Sequence, residues 1–173
     1  IGVRLVGSEM CIRDRYKDAW QSVRLYRESF AGKMMQEYEI TELIPQRAPI
    51  IMADRLLEVT DNEAVTCFTI TADNIFLDNN GTLKESGIIE NIAQSASAMY
   101  GYEYRCSDGR KAPVGYIGEI RNFTCNRCPS TGEKLITTIA KGIEIGGVTE
   151  VTGIVSVENE IIAQTRLKIF MKK

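Results

Sequence analysis

Apolar and polar residues recur with two different periods along this chain, and the switches between them divide it into elements. Residues 40–44 predict a short helical turn stopped by Pro45. Pro49 then biases the backbone toward an extended course, so 50–59 reads as a strand that ends at the turn signal Thr60-Asp-Asn-Glu63. A second strand of β-branched and aromatic residues covers 65–70, and 73–83 is a loop dense in Asp, Asn and Gly. Thr82-Leu-Lys-Glu85 has the T-x-x-E spacing of a capping box and opens a long helix over 85–104. There Ile89, Ile92, Ala93, Ala96, Met99 and Tyr100 recur three and four residues apart, which turns one side toward a core. Beyond it four strands follow, at 114–125, 133–143, 149–157 and 161–171, with hairpins at Gly146-Gly147 and at Glu158-Asn-Glu160. In the last of these Ile161, Ala163, Thr165, Leu167, Ile169 and Met171 alternate with Gln164, Arg166, Lys168 and Lys172, the pattern of a half-buried antiparallel strand. Two strands, one long helix and four strands predict an α+β domain in which a curved antiparallel sheet wraps around one central helix.

At 173 residues, 44% of them hydrophobic, the chain has material for one core rather than two. Its first 34 residues carry seven basic and four acidic side chains and the remainder fourteen and nineteen, so the composition shifts near Met34. Residues 1–33 are read as a non-native or disordered extension and 34–173 as the domain. The segment Ser8-Glu-Met-Cys-Ile-Arg-Asp-Arg15 resembles translated adapter sequence, and the opening residues lack the apolar core of an export signal. The net charge is −2, which provides no global field for a phosphate backbone, so nucleic acid is not an expected partner. No apolar run approaches the roughly 18 residues of a membrane span, so a membrane is not expected either.

Histidine is absent from the sequence, and with it the usual general base and imidazole metal ligand. Any proton chemistry within the chain rests on carboxylates, amides and backbone. The five cysteines are odd in number and dispersed, which suggests reduced thiols and a cytoplasmic location. Cys125-Asn-Arg-Cys128 has the spacing of a zinc half-site or a redox pair, yet no second such pair and no histidine completes four ligands. It is read as two strand positions that carry cysteine, and no metal is expected.

Two stretches carry a resemblance. Leu43-Ile-Pro-Gln-Arg-Ala-Pro-Ile-Ile-Met-Ala-Asp-Arg55 and Ile88-Ile-Glu-Asn-Ile-Ala-Gln94 resemble the β-hydroxyacyl-acyl carrier protein dehydratases of the hotdog fold. That family shows a short helix, P-x-R-x-P and a closing D-R, and then a helix bearing I-E-x-x-A-Q. Gly115-Tyr-Ile-Gly-Glu-Ile-Arg-Asn-Phe123, Pro129 and Gly132-Glu-Lys-Leu135 are similar to its third strand and following turn. The loop Asp73-Asn-Ile-Phe76 leading to Gly81 is similar to the aryl-polyene and pigment branch. The resemblance spans residues 40–171. It implies a single hotdog domain and a (3R)-hydroxyacyl thioester substrate carried on the phosphopantetheine of an acyl carrier protein or on coenzyme A. It also implies a lyase reaction without a bound cofactor, and pairing into a homodimer or a heterodimer with another hotdog subunit. Glu90 matches the family's catalytic glutamate. The family's histidine position falls on Asn74 in the pigment-branch alignment or on Phe76 in the ungapped one, and neither is histidine.

The residues bear alternative readings. Glu90 shares a helix stripe with Ser86, Gly87 and Gln94. It is either a desolvated acid/base or a carboxylate at a rim, satisfied by Gln94 and backbone amides. Gly87 either leaves a helix N-terminal amide free to polarise a thioester carbonyl or lets the sheet pack closely. Asn74 can orient a substrate by hydrogen bonding but cannot take its proton, and its other reading is ordinary turn chemistry. Phe76, Ser86, Gly87 and Gln94 are the expected substrate contacts. Arg105, Arg110, Lys111, Arg121 and Arg127 either face an acidic carrier protein or form a solvated rim.

Three functions are compatible with these residues: a dehydratase using Glu90 and Asn74, a hotdog acyl thioesterase using Glu90, or a non-catalytic subunit that binds acyl carrier protein or pairs with an active dehydratase. A chain beginning at Met34 is expected to match the full chain in thermal stability, because nothing in residues 1–33 completes the domain's pattern; a loss of several degrees on calorimetric unfolding would show that the extension packs.

Overall fold

The computed structural model describes residues 38–108 and 115–171, all within a compact unit spanning Glu37–Lys173. Residues 1–33, Arg110 and Lys111 lie outside the described residues. Among the described residues the elements are α1 (Ile40–Leu43), β1 (Arg55–Val59), β2 (Glu63–Thr69), α2 (Glu85–Asp108), β3 (Gly115–Cys125), β4 (Lys134–Ile145), β5 (Val148–Val157) and β6 (Glu160–Met171). The six strands form one antiparallel sheet in the order β1-β2-β4-β5-β6-β3. The expected α+β hotdog arrangement is present, with α2 packed on one face of the sheet.

The alternation read from β6 holds from Ala163 onward, where Ala163, Thr165, Leu167 and Ile169 are buried and Arg166 and Phe170 exposed. At the start of the strand a slip in its pairing with β5 buries Ile162 rather than Ile161. Leu135 and Ile139 of β4 with Val151 and Val155 of β5 continue the same inner face. Against it α2 buries Ile88, Ile92, Ala96 and Met99 completely. Gly153 permits this approach, because a Cβ there would collide with Cγ2 of Ile92. Gly146 and Gly147 both have positive φ, +62° and +79°, as a two-residue hairpin turn of the favoured twist requires.

Two boundaries and one helix cap differ from the sequence reading in ways that bear on the site. The first strand begins at Arg55 rather than at residue 50, because the extended segment 50–54 spends its polar groups on α2 and β2 instead of on a strand ladder. The long helix continues to Asp108, one turn beyond the expected end at residue 104. The T-x-x-E pattern marks the correct start, but Lys84 rather than Thr82 precedes the first helical residue. Thr82 instead pairs with Ser130, and the Lys84 carbonyl accepts the N–H groups of Gly87 and Ile88. Among the described residues no helix is long and apolar enough to cross a membrane.

Gly153→Ala is expected to destabilise the domain by about 1–3 kcal/mol through overpacking against Ile92, read as a lower urea midpoint; an unchanged midpoint would mean that Ile92 moves aside freely.

Candidate active site

The site region is built from three pieces: the loop before α2, the first turns of α2, and segment 50–54. Asp78 organises the loop, its Oδ1 accepting the N–H groups of Asn80 at 2.8 Å and Thr82 at 2.9 Å. Those two donors hold its carboxyl below the usual aspartate range. Asn74 makes a second local turn, with Oδ1 accepting the Phe76 N–H at 2.9 Å. Its Nδ2 donates to the Met52 sulfur at 3.2 Å.

Phe76 closes the loop onto the helix start. A Cβ on Gly87 would stand 2.7 Å from the Phe76 Cβ and 2.8 Å from Leu83 Cδ1, so the loop crosses the helix where only glycine fits. The Gly87 N–H donates to the Lys84 carbonyl at 2.9 Å and is therefore engaged in the helix's opening turn. Close packing is the role of Gly87 that the geometry displays. Ser86, its neighbour, is exposed.

One turn further, Glu90 is half-buried and its Oε1 accepts Gln94 Nε2–H at 2.7 Å. Gln94 is fully buried, and its amide is spent three ways. Nε2 also donates to the Ile50 carbonyl at 2.7 Å, and Oε1 accepts the Met52 N–H at 2.7 Å. Both amide hydrogens are thus committed, and no N–H of Gln94 is left for a substrate. Beside it Asn91, also fully buried, donates to the Met52 carbonyl at 2.6 Å and accepts Thr137 Oγ1–H at 2.6 Å. Met52 therefore has its backbone N–H and C=O held by two helix amides while its sulfur faces Asn74.

The structure thus links Glu90, Gln94, Met52 and Asn74 in one contact chain, and joins Phe76 to Gly87. The arginines are not brought together in this way. Arg105 at the end of α2 pairs with Glu42 at 3.1 Å, and Arg121 pairs with Glu119 at 2.6 Å. Arg127 pairs with Glu133 at 2.9 Å and Glu160 at 3.0 Å. Each already has a carboxylate partner within the chain. Among the described residues no group of three or more acidic, cysteine or histidine side chains is clustered to hold a metal ion.

Sequence reasoning missed Asn91 and Met52. The available signal was polar: Asn91, Gln94 and Ser95 interrupt the apolar side of α2, and all three are fully buried. Buried amides require partners, and the partner here is a backbone some forty residues earlier. What the arrangement can do chemically follows from Glu90. A carboxyl oriented by one amide and left half-exposed can exchange a proton with a molecule bound beside it.

Comparison with known proteins places these features in context. The ApeP-like family, described as ApeP dehydratase, matches residues 38–173. A 3-hydroxyacyl-[acyl-carrier-protein] dehydratase FabZ from Burkholderia mallei is 25% identical over 144 residues, which cover 78% of this chain and 90% of that protein. Among solved structures, the dehydratase heterocomplex ApeI:P from Xenorhabdus doucetiae is similar with a TM-score of 0.74 at 18% identity, covering 80% of this chain and 93% of that one. The PaaI protein of the Escherichia coli phenylacetic acid degradation operon has a TM-score of 0.55 at 11% identity, covering 68% and 78%. These two structural likenesses concern the fold.

Gln94→Leu keeps the side chain's bulk but strands the Met52 N–H and the Ile50 carbonyl. It is expected to cost on the order of 3 kcal/mol in urea unfolding and to expose the Met52 amide to fast hydrogen exchange; a protected Met52 amide in the variant would show that another group holds the segment.

Proposed function

This chain belongs to the ApeP-like dehydratase family, and on that premise we propose that it takes part in dehydrating (3R)-hydroxyacyl thioesters carried by an acyl carrier protein in the cytoplasm, as one subunit of a paired hotdog enzyme. The carrying observation is Glu90, half-buried on α2 and oriented by Gln94, in a chain that has no histidine.

Dehydration needs a base at C2 and an acid at the 3-hydroxyl. Glu90 serves as the acid. Its carboxyl protonates the hydroxyl, which leaves as water, while the electrons of the C2–H bond become the C2–C3 double bond. Gln94 is a positioning residue in this reading, since it fixes the carboxyl and segment 50–52 together. Asn74 and Phe76 shape the loop where the resemblance places an imidazole. The base is then a histidine on the loop of a second subunit.

The sheet offers a means of pairing. β3 is an edge strand of eleven residues, and among the described residues it pairs only with β6, so its outer edge presents a row of backbone donors and acceptors. Tyr116, Ile117 and Ile120 on it are exposed apolar side chains. An edge strand from another hotdog subunit can add to it antiparallel, as strand addition generally does. The ApeI:P structure, a heterocomplex of dehydratases, supports pairing with an unlike subunit.

Incubating 3-hydroxyacyl thioesters with the purified chain, alone and together with a histidine-bearing hotdog subunit, tests this by mass spectrometry. Proton transfer by a positioned side chain contributes about 10²–10⁴-fold, so turnover is expected to be weak alone and to rise by that order with the partner. Vigorous dehydration by the chain alone would overturn the shared-site reading, and release of free thiol would identify a hydrolase instead. Glu90→Gln is expected to abolish the paired activity with folding intact; full activity in a folded variant would leave the chain a non-catalytic subunit. Asn74→His is expected to raise dehydration by the chain alone, with a new pH dependence near the imidazole pKa of about 6.5, whereas Phe76→His replaces an apolar wall and is not.

A further inference from the structure

The pair Cys125 and Cys128 was read from sequence as two strand positions, and the structure corrects this. Residues three apart on a strand face opposite sides of the sheet. β3 ends at Cys125, however, and the turn through Asn126 and Arg127 brings the two sulfurs to 3.8 Å. Both thiols are free and half-buried. The residues between them are tied outward. The Asn126 N–H donates to the Ile162 carbonyl at 2.7 Å and its side chain to Ile161 at 3.1 Å. Arg127 forks onto Glu133 at 2.9 and 3.1 Å and reaches Glu160 at 3.0 Å. The turn is therefore held from outside, leaving the sulfurs facing one another.

We propose that Cys125 and Cys128 are a modification site, a dithiol that low-molecular-weight disulfides oxidise to an intramolecular disulfide. The thiolate of Cys128 attacks one sulfur of the small disulfide and expels the first small thiolate. Cys125, after its proton passes to water, attacks the Cys128 sulfur of the mixed disulfide and expels the second. Two protein thiols are oxidised by two electrons, and one small disulfide is reduced to two thiols. Cys128 is the attacking thiol because Cys125 keeps its proton: its S–H donates to the Arg127 carbonyl at 3.2 Å. Burial, the adjacent Cys128 and the nearby Glu85 of α2 push the Cys125 thiol up to about 11.

The location carries the consequence to the site. Directly after Cys128, the Pro129 carbonyl accepts the Leu83 N–H at 2.8 Å, Ser130 pairs with Thr82, and the Thr131 N–H donates to the Gly81 carbonyl at 2.9 Å. The connection that holds the dithiol also braces the loop leading into α2, on which Glu90 stands. A disulfide here ties that brace to the end of β3.

The test equilibrates the full chain in glutathione buffers from fully reduced to fully oxidised, quenches with acid, alkylates with N-ethylmaleimide and maps the peptides. The expected result is a species lighter by two hydrogens with Cys125 joined to Cys128, while buried Cys67 and exposed Cys106 stay outside any internal disulfide. Cys125→Ser is expected to accumulate glutathione on Cys128, and Cys128→Ser to leave Cys125 unmodified over the same time. Arg127→Ala, which loosens the turn, is expected to shift the equilibrium toward the dithiol by about fivefold, the loss of preorganisation in one held side chain. Alkylated Cys125 and Cys128 in the most oxidising buffer, or separate glutathione adducts that never close, would overturn the proposal. An Arg127→Ala variant that oxidises as readily as the parent would overturn the argument that the turn is preorganised.

Discussion

The backbone of Met52 is gripped from both sides by one helix, and the rest of the site is arranged around that grip. Its N–H goes to Gln94 and its carbonyl to Asn91, at 2.7 and 2.6 Å, in surroundings that exclude water entirely. Neither backbone group would be satisfied if segment 50–54 slid along α2, and leaving one unmade costs about 1–3 kcal/mol. The same two amides reach further. Asn91 accepts from Thr137 in β4, and Ser95, a turn along, bonds Thr66 in β2 at 2.6 Å and the Asn91 carbonyl at 2.7 Å. Helix, sheet and the extended segment thus share one buried polar seam running through an otherwise apolar layer. Hydrophobic burial is non-directional and would accept several rotations of α2. The seam accepts one, and in that rotation Glu90 is left half-buried, with its carboxyl bonded to Gln94.

The chemistry follows from the same restriction. A carboxyl on a long helix is useful only if its orientation is held while its environment stays partly open. Gln94 meets the first condition through the very amide that anchors Met52, so one side chain both holds the extended segment and orients the carboxyl. The loop meets the second: Asp78 and Asn74 satisfy its backbone locally, and it can cross Gly87 at contact distance without covering Glu90.

Much of this was legible in sequence where short-range patterns decide the outcome. The helix start at Glu85, the alternation of β6 and the glycine hairpin are all set by neighbours within a few residues. Glu90 stood out because a carboxylate interrupts an apolar periodicity. Segment 50–54 was not legible: an apolar extended run is spelled alike whether it pairs with a strand or with helix amides, and the deciding residues lie some forty positions later. The ion pairs of the arginines were not legible either, for one of the carboxylates that meets Arg127 is Glu160, thirty-three residues away. The bond of Gln94 to Glu90 could be read from their spacing on the helix, but its bonds to Ile50 and Met52 could not, since nothing local reveals them. The two cysteines illustrate a boundary effect, in which one residue more of strand would have turned them apart.

The two margins of the sheet are unequal. β1 is five residues long, with one slip in its pairing between Leu56 and Glu58, whereas β3 runs for eleven, with slips between Ile117 and Glu119 and between Arg121 and Thr124. A short margin is a poor template for a further strand, and a long one leaves more backbone to pair. A molecule with a single adhesive side terminates as soon as that side is used, while one with two continues into a fibre. Were β3 to pair as proposed, β1 would offer no margin of comparable length from which a further strand could be added, and association would stop at two subunits rather than run on into a filament.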